Sequence, residues 1–436
     1  MLTAFVRAFK TPDLRRKLLF TIAMMALFRL GTHIPTPGIS YVQVQRCQPA
    51  PGATGGVLGL ANLFSGGALL QLSVFALGIM PYITASIIIQ LLTVVIPRFE
   101  TLKKEGQAGT TKLTQYTRYL TIGLAILQSS TLVTFARNPS QLFGQNCTSI
   151  MPDQSLPTIL IMVLTMTAGT GVIMWMGELI TDRGVGNGMS LLIFTSIVAS
   201  FPGSLWAIHT TSGRWDTFVL VILIGFLIIG LVVFVEQSQR RIPVQYAKRM
   251  IGRRMYGGTS TYIPIKVNMA GVIPVIFASS LLALPALVAQ FNRSATNVPG
   301  WVTWIEQHLT RGDHPYYMIA YIGLIIFFTF FYVSITFNPI EVADNMKKYG
   351  GFIPGIRAGR PTAEYLDYVL TRITVPGALY LGLISLIPLV ALVMVGANQN
   401  FPFGGTSILI MVGVGLETVK QIESQLQQRH YEGFLR

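Results

Sequence analysis

Long apolar runs parted by polar or basic loops set the pattern of this chain. Ten such stretches follow one another, at about 18–34, 73–96, 118–136, 156–178, 188–206, 217–236, 269–290, 317–337, 373–394 and 402–418. An α-helix rising about 1.5 Å per residue needs about 20 residues to cross a hydrocarbon layer about 30 Å thick. The pattern predicts an all-α membrane protein of ten transmembrane helices. Pro81, Pro274, Pro285, Pro376 and Pro388 fall inside the stretches. Spanning helices tolerate such breaks when neighbouring helices satisfy the freed backbone groups. Five spans precede the short loop 207–216 and five follow it, so the two halves, 1–206 and 217–436, are expected to lie upside down to one another. Inverted repeats of this kind are common in transport proteins.

One stretch breaks the pattern. Asn62–Leu72 is apolar and carries Gly66 and Gly67, and it runs without a charge into Ser73–Leu92. The first piece is too short to span. It makes sense as a segment that dips back into a protein-lined cavity. Its glycines, each costing roughly 1 kcal/mol against alanine, predict a weakly held helix.

Composition agrees with the pattern, with 51% hydrophobic and 11% charged residues against about 25% charged in a soluble chain. The basic residues give orientation. The N-terminus, loops 2/3, 4/5, 6/7 and 8/9 and the tail carry 26 lysines and arginines, the opposite face five, and Arg29 lies inside the first span. Positive residues gather on the cytosolic side, so both termini are expected in the cytosol. No cleavable signal peptide is expected, because Arg15, Arg16 and Lys17 precede a run without a small-residue cleavage site. Cys47 and Cys147 then fall in loops 1/2 and 3/4, both outside, where a disulfide and two free thiols are both open.

Catalytic chemistry is missing from the motifs. No GxxxxGK[ST] occurs, and the glycine run Gly184–Gly188 opens a membrane helix without following a strand. His33, His209, His308, His314 and His430 sit in loops or at helix ends without metal-ligand spacing. Neither a metal nor a cofactor is expected. An intramembrane protease would lack its base. Charges within the membrane mark ion-coupled transporters, whereas Arg29 and Glu178 stand at span ends, where Arg29 can snorkel. That counts against a secondary transporter and for a passive pore driven from outside. Two cytosolic loops are long enough to be functional, 237–268 and 338–372. Arg241–Ala247 alternates as a strand does, and Gly257–Gly258 marks a turn.

Several long motifs, in order, resemble the SecY family of bacterial protein-secretion channels. They are RLGTHIPTPGI after span 1, FSGGALLQLSVFALGIMPYITASIIIQLL, GVGNGMSLLIF opening span 5, QRRIPVQYAKR, KVNMAGVIPVIFASSLL, ADNMKKYGGFIPGIRAGRPTAEYL and FGGTSILIMVGVGLE. The resemblance implies two halves clamping a central hourglass pore through which unfolded polypeptides cross the cytoplasmic membrane, with sideways release of hydrophobic segments into lipid. Positions matching the family's pore ring are Ile79, Ile83, Met189, Ile193, Ile276 and Ile410. The pairs 79/83 and 189/193 are spaced i, i+4, on one helix face. The plug matches residues 61–72, with Asn62, Leu63, Phe64, Ser65, Gly66, Gly67, Ala68, Leu69 and Leu70 at its centre. Ser86, Gln90, Gln128, Ser279 and Ser280 are expected along a lateral gate, where polar groups can hydrogen-bond across a seam. Arg240, Arg241, Lys248, Arg249, Arg253, Arg254, Arg357 and Arg360 are expected to dock cytosolic partners. The implied partners are SecE-like and SecG-like membrane subunits, the ATPase SecA and the ribosome, whose RNA phosphates suit arginine and lysine.

Overall fold

Ten long helices take up the ten apolar stretches. The computed structural model describes residues 9–47, 62, 64–137, 139, 147, 150–212, 215–246, 249–251, 254–256, 260–292, 300–309, 314–395 and 405–432. The expected turn at 257–258 lies outside them. The spanning helices of the first half are α1 (Pro12–Gly31), α3 (Met80–Val95), α5 (Gln107–Arg137), α6 (Leu156–Arg183) and α7 (Gly188–Ser212). Those of the second are α8 (Trp215–Gln237), α9 (Ile273–Asn292), α11 (Pro315–Thr336), α13 (Arg360–Val395) and α14 (Gly405–Glu432). Short helices α2 (Tyr41–Cys47), α4 (Pro97–Lys104), α10 (Gly300–His308) and α12 (Pro339–Lys348) lie in the connections. Among the described residues, α5, α6, α11 and α13 each meet the length and hydropathy of a membrane span. The pair α3–α4, bent by 100° at Ile96–Pro97, makes a fifth. Leu127, Leu164, Phe226, Phe234 and Leu383 stay exposed on these helices, as expected where an apolar helix meets lipid.

The neighbours repeat. In the first half α3 packs on α5, α5 on α6, α6 on α7, and α1 on α7. In the second α9 packs on α11, α11 on α13, α13 on α14, and α8 on α14. Shifting each span by five turns one order into the other, and α6 makes two additional contacts in the first half, with α1 and with α3. The halves meet through α7 with α14 and α8, and through α3 with α9.

Loop 6/7 folds as strands. β1 (Gln239–Tyr246) pairs antiparallel with β4 (Ser260–Lys266), from Gln239 opposite Lys266 to Gln245 opposite Ser260, and its end pairs with β5 (Gly351–Phe352). A small ribbon, β2 (Arg249–Ile251) with β3 (Arg254–Tyr256), lies between. The alternation read from the sequence appears directly. Ile242 and Val244 are buried while Arg241, Pro243 and Gln245 face out. Their inner face packs with Ile265, Met346, Ile353, Leu366 and Leu370, so the sheet rides on α12 and α13.

Span 2 starts later than its hydropathy suggests. The expected helix from residue 73 begins only at Met80, and residues 65–79 are turns. Two features explain the shift. Ser73 bridges Pro35 in the loop after α1, where Thr36 N donates to the Leu72 carbonyl and Val74 N to the Ile34 carbonyl. Gly78 then takes a left-handed φ of 56°, which stops a right-handed helix. Pro81, lacking an N–H, is placed in the first helical turn, where none is needed.

The open question over the cysteines has an answer in the structure, where Cys47 and Cys147 are bonded with Cα atoms 5.4 Å apart. The bond joins α2 to the loop before α6, and the Ser40 N–H bonds the Ile150 carbonyl beside it. Just beyond, the Ser155 N–H and the Ser155 and Thr158 hydroxyls hold the Asp153 carboxyl below its usual range.

Candidate functional site

The six ring candidates converge. Ile79, Ile83, Met189, Ile193, Ile276 and Ile410 belong to one apolar cluster, although four separate stretches of chain supply them. Ile79 is 2% exposed and Ile410 1%. Local structure aims each one. Ile79 precedes the first turn of α3, and its carbonyl accepts the Ile83 N–H, which fixes their i, i+4 relation. Met189 is set by the tight start of α7. There the Gly188 N–H bonds Thr181 Oγ1, and Asn187 Oδ1 accepts the Met189 N–H. Gly188 lies so close to the Gly177 carbonyl that a Cβ there would collide with it. Ile276 lies in the first turn of α9, just after Pro274.

On the side of the basic loops, Ile193, Ile276 and Ile410 form part of the wall of a cavity of about 310 Å³. The wall also carries polar groups, among them Asn187, Ser190, Glu236, Lys266, Asn268 and Lys420, beside apolar ones such as Met269, Val272 and Leu416. Asn268 Nδ2 donates to Glu236 across 2.6 Å and to the Gly271 carbonyl. A partly polar cavity therefore borders the apolar cluster at Ile193, Ile276 and Ile410. Sequence reading missed this cavity, because its polar residues are scattered over four elements with no local spacing.

The segment read as a plug reaches the same cluster. Phe64 is 2% exposed and sits in the same cluster as the six ring residues, while Leu69 and Leu72 belong to a second core with Val44, Cys147 and Ile150. The expected short helix forms only in part, with Asn62 and Phe64 helical. Residues 65–72 are turns, with Gly66, Gly67 and Leu72 at φ of 67°, 89° and 47°. The glycines thus bend the chain back on itself instead of weakening a helix. Asn62 and Ser65 bind the turns. The Asn62 carbonyl accepts from Ser65 Oγ and the Gly67 N–H, Asn62 Oδ1 from the Leu70 N–H, and Ser65 Oγ from the Leu69 N–H. Leu63 and residue 61 lie outside the described residues. Arg29, expected to snorkel outward, instead donates from Nη1 to the Gly66 carbonyl at 2.8 Å.

The lateral-gate candidates are not joined as expected. Among the described residues no hydrogen bond connects Ser86, Gln90 or Gln128 with Ser279 or Ser280. Ser279 Oγ donates to Ile276 of its own helix, and Ser280 Oγ is buried without a partner. Ser86 and Gln128 are half-buried and Gln90 is exposed. The seam between α3 and α9 is apolar instead, with Ile87 clustered with Val275, Ala278 and Leu282 and with Ile83 and Leu91 beside them. Hydroxyls and amides on a spanning helix often bond their own backbone, which is why residue type alone misplaced the contact. Glu178 closes a different seam, paired with Arg118 of α5 at 2.7 Å and 2.9 Å.

The docking candidates lie on two surfaces. Arg240 and Arg241 are exposed on β1, and the Arg241 guanidinium covers the Tyr262 ring at 4.8 Å. Arg357 and Arg360 are exposed at the start of α13. Arg249 and Arg254 belong to the small ribbon, and Lys248 and Arg253 lie outside the described residues.

Apolar helices gathered around a cluster drawn from several stretches of chain, with a partly polar cavity beside it, are the architecture of a membrane channel. The model of the SecY family matches residues 73–419. Over their full lengths, the chain is 70% identical to the protein translocase subunit SecY of Streptomyces galbus, 68% to that of Streptomyces coelicolor and 59% to that of Mycobacterium tuberculosis. The chain belongs to the SecY family. Its fold is similar to that of a solved protein-conducting channel, with a TM-score of 0.63 at 18% identity, covering 94% of this chain and 91% of that one. Sec61 from a canine ribosome–channel complex gives 0.61 at 17% identity, with the same coverage.

Proposed function

We propose that this chain forms the pore of a protein translocase in the cytoplasmic membrane, passing unfolded polypeptides outward and releasing hydrophobic segments sideways into lipid. It works as two inverted five-helix halves, with both termini in the cytosol and no catalytic activity of its own. The observation that carries the reading is the meeting of six apolar side chains from four stretches of chain with Phe64 of the plug, beside a partly polar cavity. An apolar constriction excludes ions because it cannot replace their hydration shells, and it can dewet. The same side chains can close around a passing peptide of any sequence without binding it tightly. The plug leaves when the chain enters.

Release to lipid uses the seam between α3 and α9. With Ile83, Ile87 and Leu91 facing α9, a hydrophobic signal segment can exchange one apolar contact for another. Ser86, Gln90, Gln128, Ser279 and Ser280 lend that path its few polar groups. SecE-like and SecG-like subunits complete the complex, and SecA or a ribosome docks on the cytosolic arginines. Vesicles holding the complex should take up a secretory precursor when given SecA and ATP. The Arg357→Glu protein should insert and fold yet fail to export, and full uptake by that variant would remove Arg357 from the docking surface. No uptake by the parent complex would refute the function itself.

A further inference from the structure

The last turn of α1 is built as a seat for the plug. Phe28 is 1% exposed and stacks on Phe75, with ring centroids 6.0 Å apart. Gly31 leaves the space that the Phe75 ring fills. Between them Arg29 reaches the Gly66 carbonyl. Gly66 is enclosed, since a Cβ on it would lie 2.9 Å from Arg29 Nη1 and 3.3 Å from the Ser196 backbone. Arg29 is itself anchored, its carbonyl accepting from Thr32 Oγ1 at 2.7 Å, with His33 Nδ1 at 3.0 Å. Among the described residues no carboxylate pairs with this guanidinium.

Among the described residues, the plug's other side-chain hydrogen bonds are internal to residues 62–73, and the backbone is tied to the body of the channel at Leu72 and Val74. Phe64, Leu69 and Leu72 pack into the surrounding apolar cores, and Arg29 supplies the side-chain hydrogen bond that joins the described segment to the wall. We propose that Arg29 is the latch of the plug, and that the backbone carbonyls of the entering polypeptide release it by taking the place of the Gly66 carbonyl. A guanidinium carries five N–H donors and accepts nothing, so losing one carbonyl leaves it seeking another. Every residue of an unfolded chain offers that group, whatever its side chain. The exchange is thus independent of sequence, as a channel for many substrates requires. It also keeps a desolvated charge from being left unpaired while the plug is away.

The inference rests on reading residues 62–70 as a plug, and the test separates the two. Resting ion conductance is measured for the reconstituted complex without substrate, with Arg29→Gln and Arg29→Lys, each in the full chain and in a chain lacking residues 62–70. A hydrogen bond from a charged donor is strong enough that its loss should raise the resting leak about tenfold or more. Arg29→Lys, which keeps a charged donor, should restore most of the seal. In the plug-deleted channel Arg29→Gln should add nothing. A second readout follows the plug itself. A cysteine at buried Ala68 should stay unreactive to an external thiol reagent beside Arg29 and become reactive beside Arg29→Gln. A tight Arg29→Gln channel would overturn the latch, and so would an equal added leak with and without the plug. A plug-deleted channel as tight as the parent would overturn the plug reading beneath it.

Discussion

The plug and the cytosolic strand pair both stand outside the helical bundle, and they are held in opposite ways. β1 and β4 are joined by a continuous antiparallel ladder, and their inner face is pressed into a core with α12 and α13. The plug has no ladder. Its turns bond mainly to themselves, and one guanidinium, a short backbone bridge and the packing of Phe64, Leu69 and Leu72 tie it to the wall. Ladders form and break cooperatively, so a surface made of one keeps its shape when partners push on it. A few separate polar bonds can be exchanged one at a time, and segments that must move come from the weakly held end of a structure. The comparison teaches that the strand pair is built to keep its shape, and that the proposed plug is held by contacts that can be exchanged one at a time.

Three substitutions sharpen the contrast. The largest expected effect is in the sheet. Ile265 is fully buried, and Ile265→Ala should cost about 2–5 kcal/mol, read as a lowered unfolding midpoint in detergent with resting conductance unchanged. A leak without a stability loss would mean that the sheet takes part in gating. Next comes the disulfide, which closes a sequence separation of 100 residues around the plug's outer seat. Replacing both Cys47 and Cys147 with serine should cost about 2–4 kcal/mol. In the parent, alkylation without reduction should add no mass at these positions, and two alkylated cysteines would show that the bond does not form. The smallest effect belongs to the plug. Gly66→Ala forces a side chain into a left-handed conformation at about 1–2 kcal/mol and against Arg29 Nη1. It should leave the unfolding midpoint nearly unmoved and raise the resting conductance. An unfolding loss as large as that of Ile265→Ala would place the plug in the rigid body of the channel.

The sequence was most legible where a repeating physical constraint acts. The bilayer fixes span length, so ten apolar stretches became ten helices, and the alternation after Arg240 became β1. The ring came from resemblance supported by spacing: 79/83 and 189/193 share helix faces, but only the fold brings Ile276 and Ile410 to them. What stayed hidden depended on contacts far apart in the chain. Residues 73–79 read as helix because they are apolar, yet the backbone at 72–74 pairs with residues 34–36 and Gly78 takes a left-handed φ. Arg29 read as a snorkelling charge because its partner is a carbonyl, which no side-chain pattern reveals. The lateral seam was sought among hydroxyls and amides, and the structure joins it through Ile83, Ile87 and Leu91. Two cysteines 100 residues apart have no local signal that tells a bond from two thiols.

All of these devices serve a waist that holds back ions until a polypeptide opens it. The direct measurement is the resting conductance of the reconstituted complex with Ile79, Ile83, Met189, Ile193, Ile276 and Ile410 all changed to asparagine. Amides at these positions would hydrate the constriction, so ions should flow through the closed channel well above the parent level. A current as small as the parent's would place the barrier elsewhere and contradict the account.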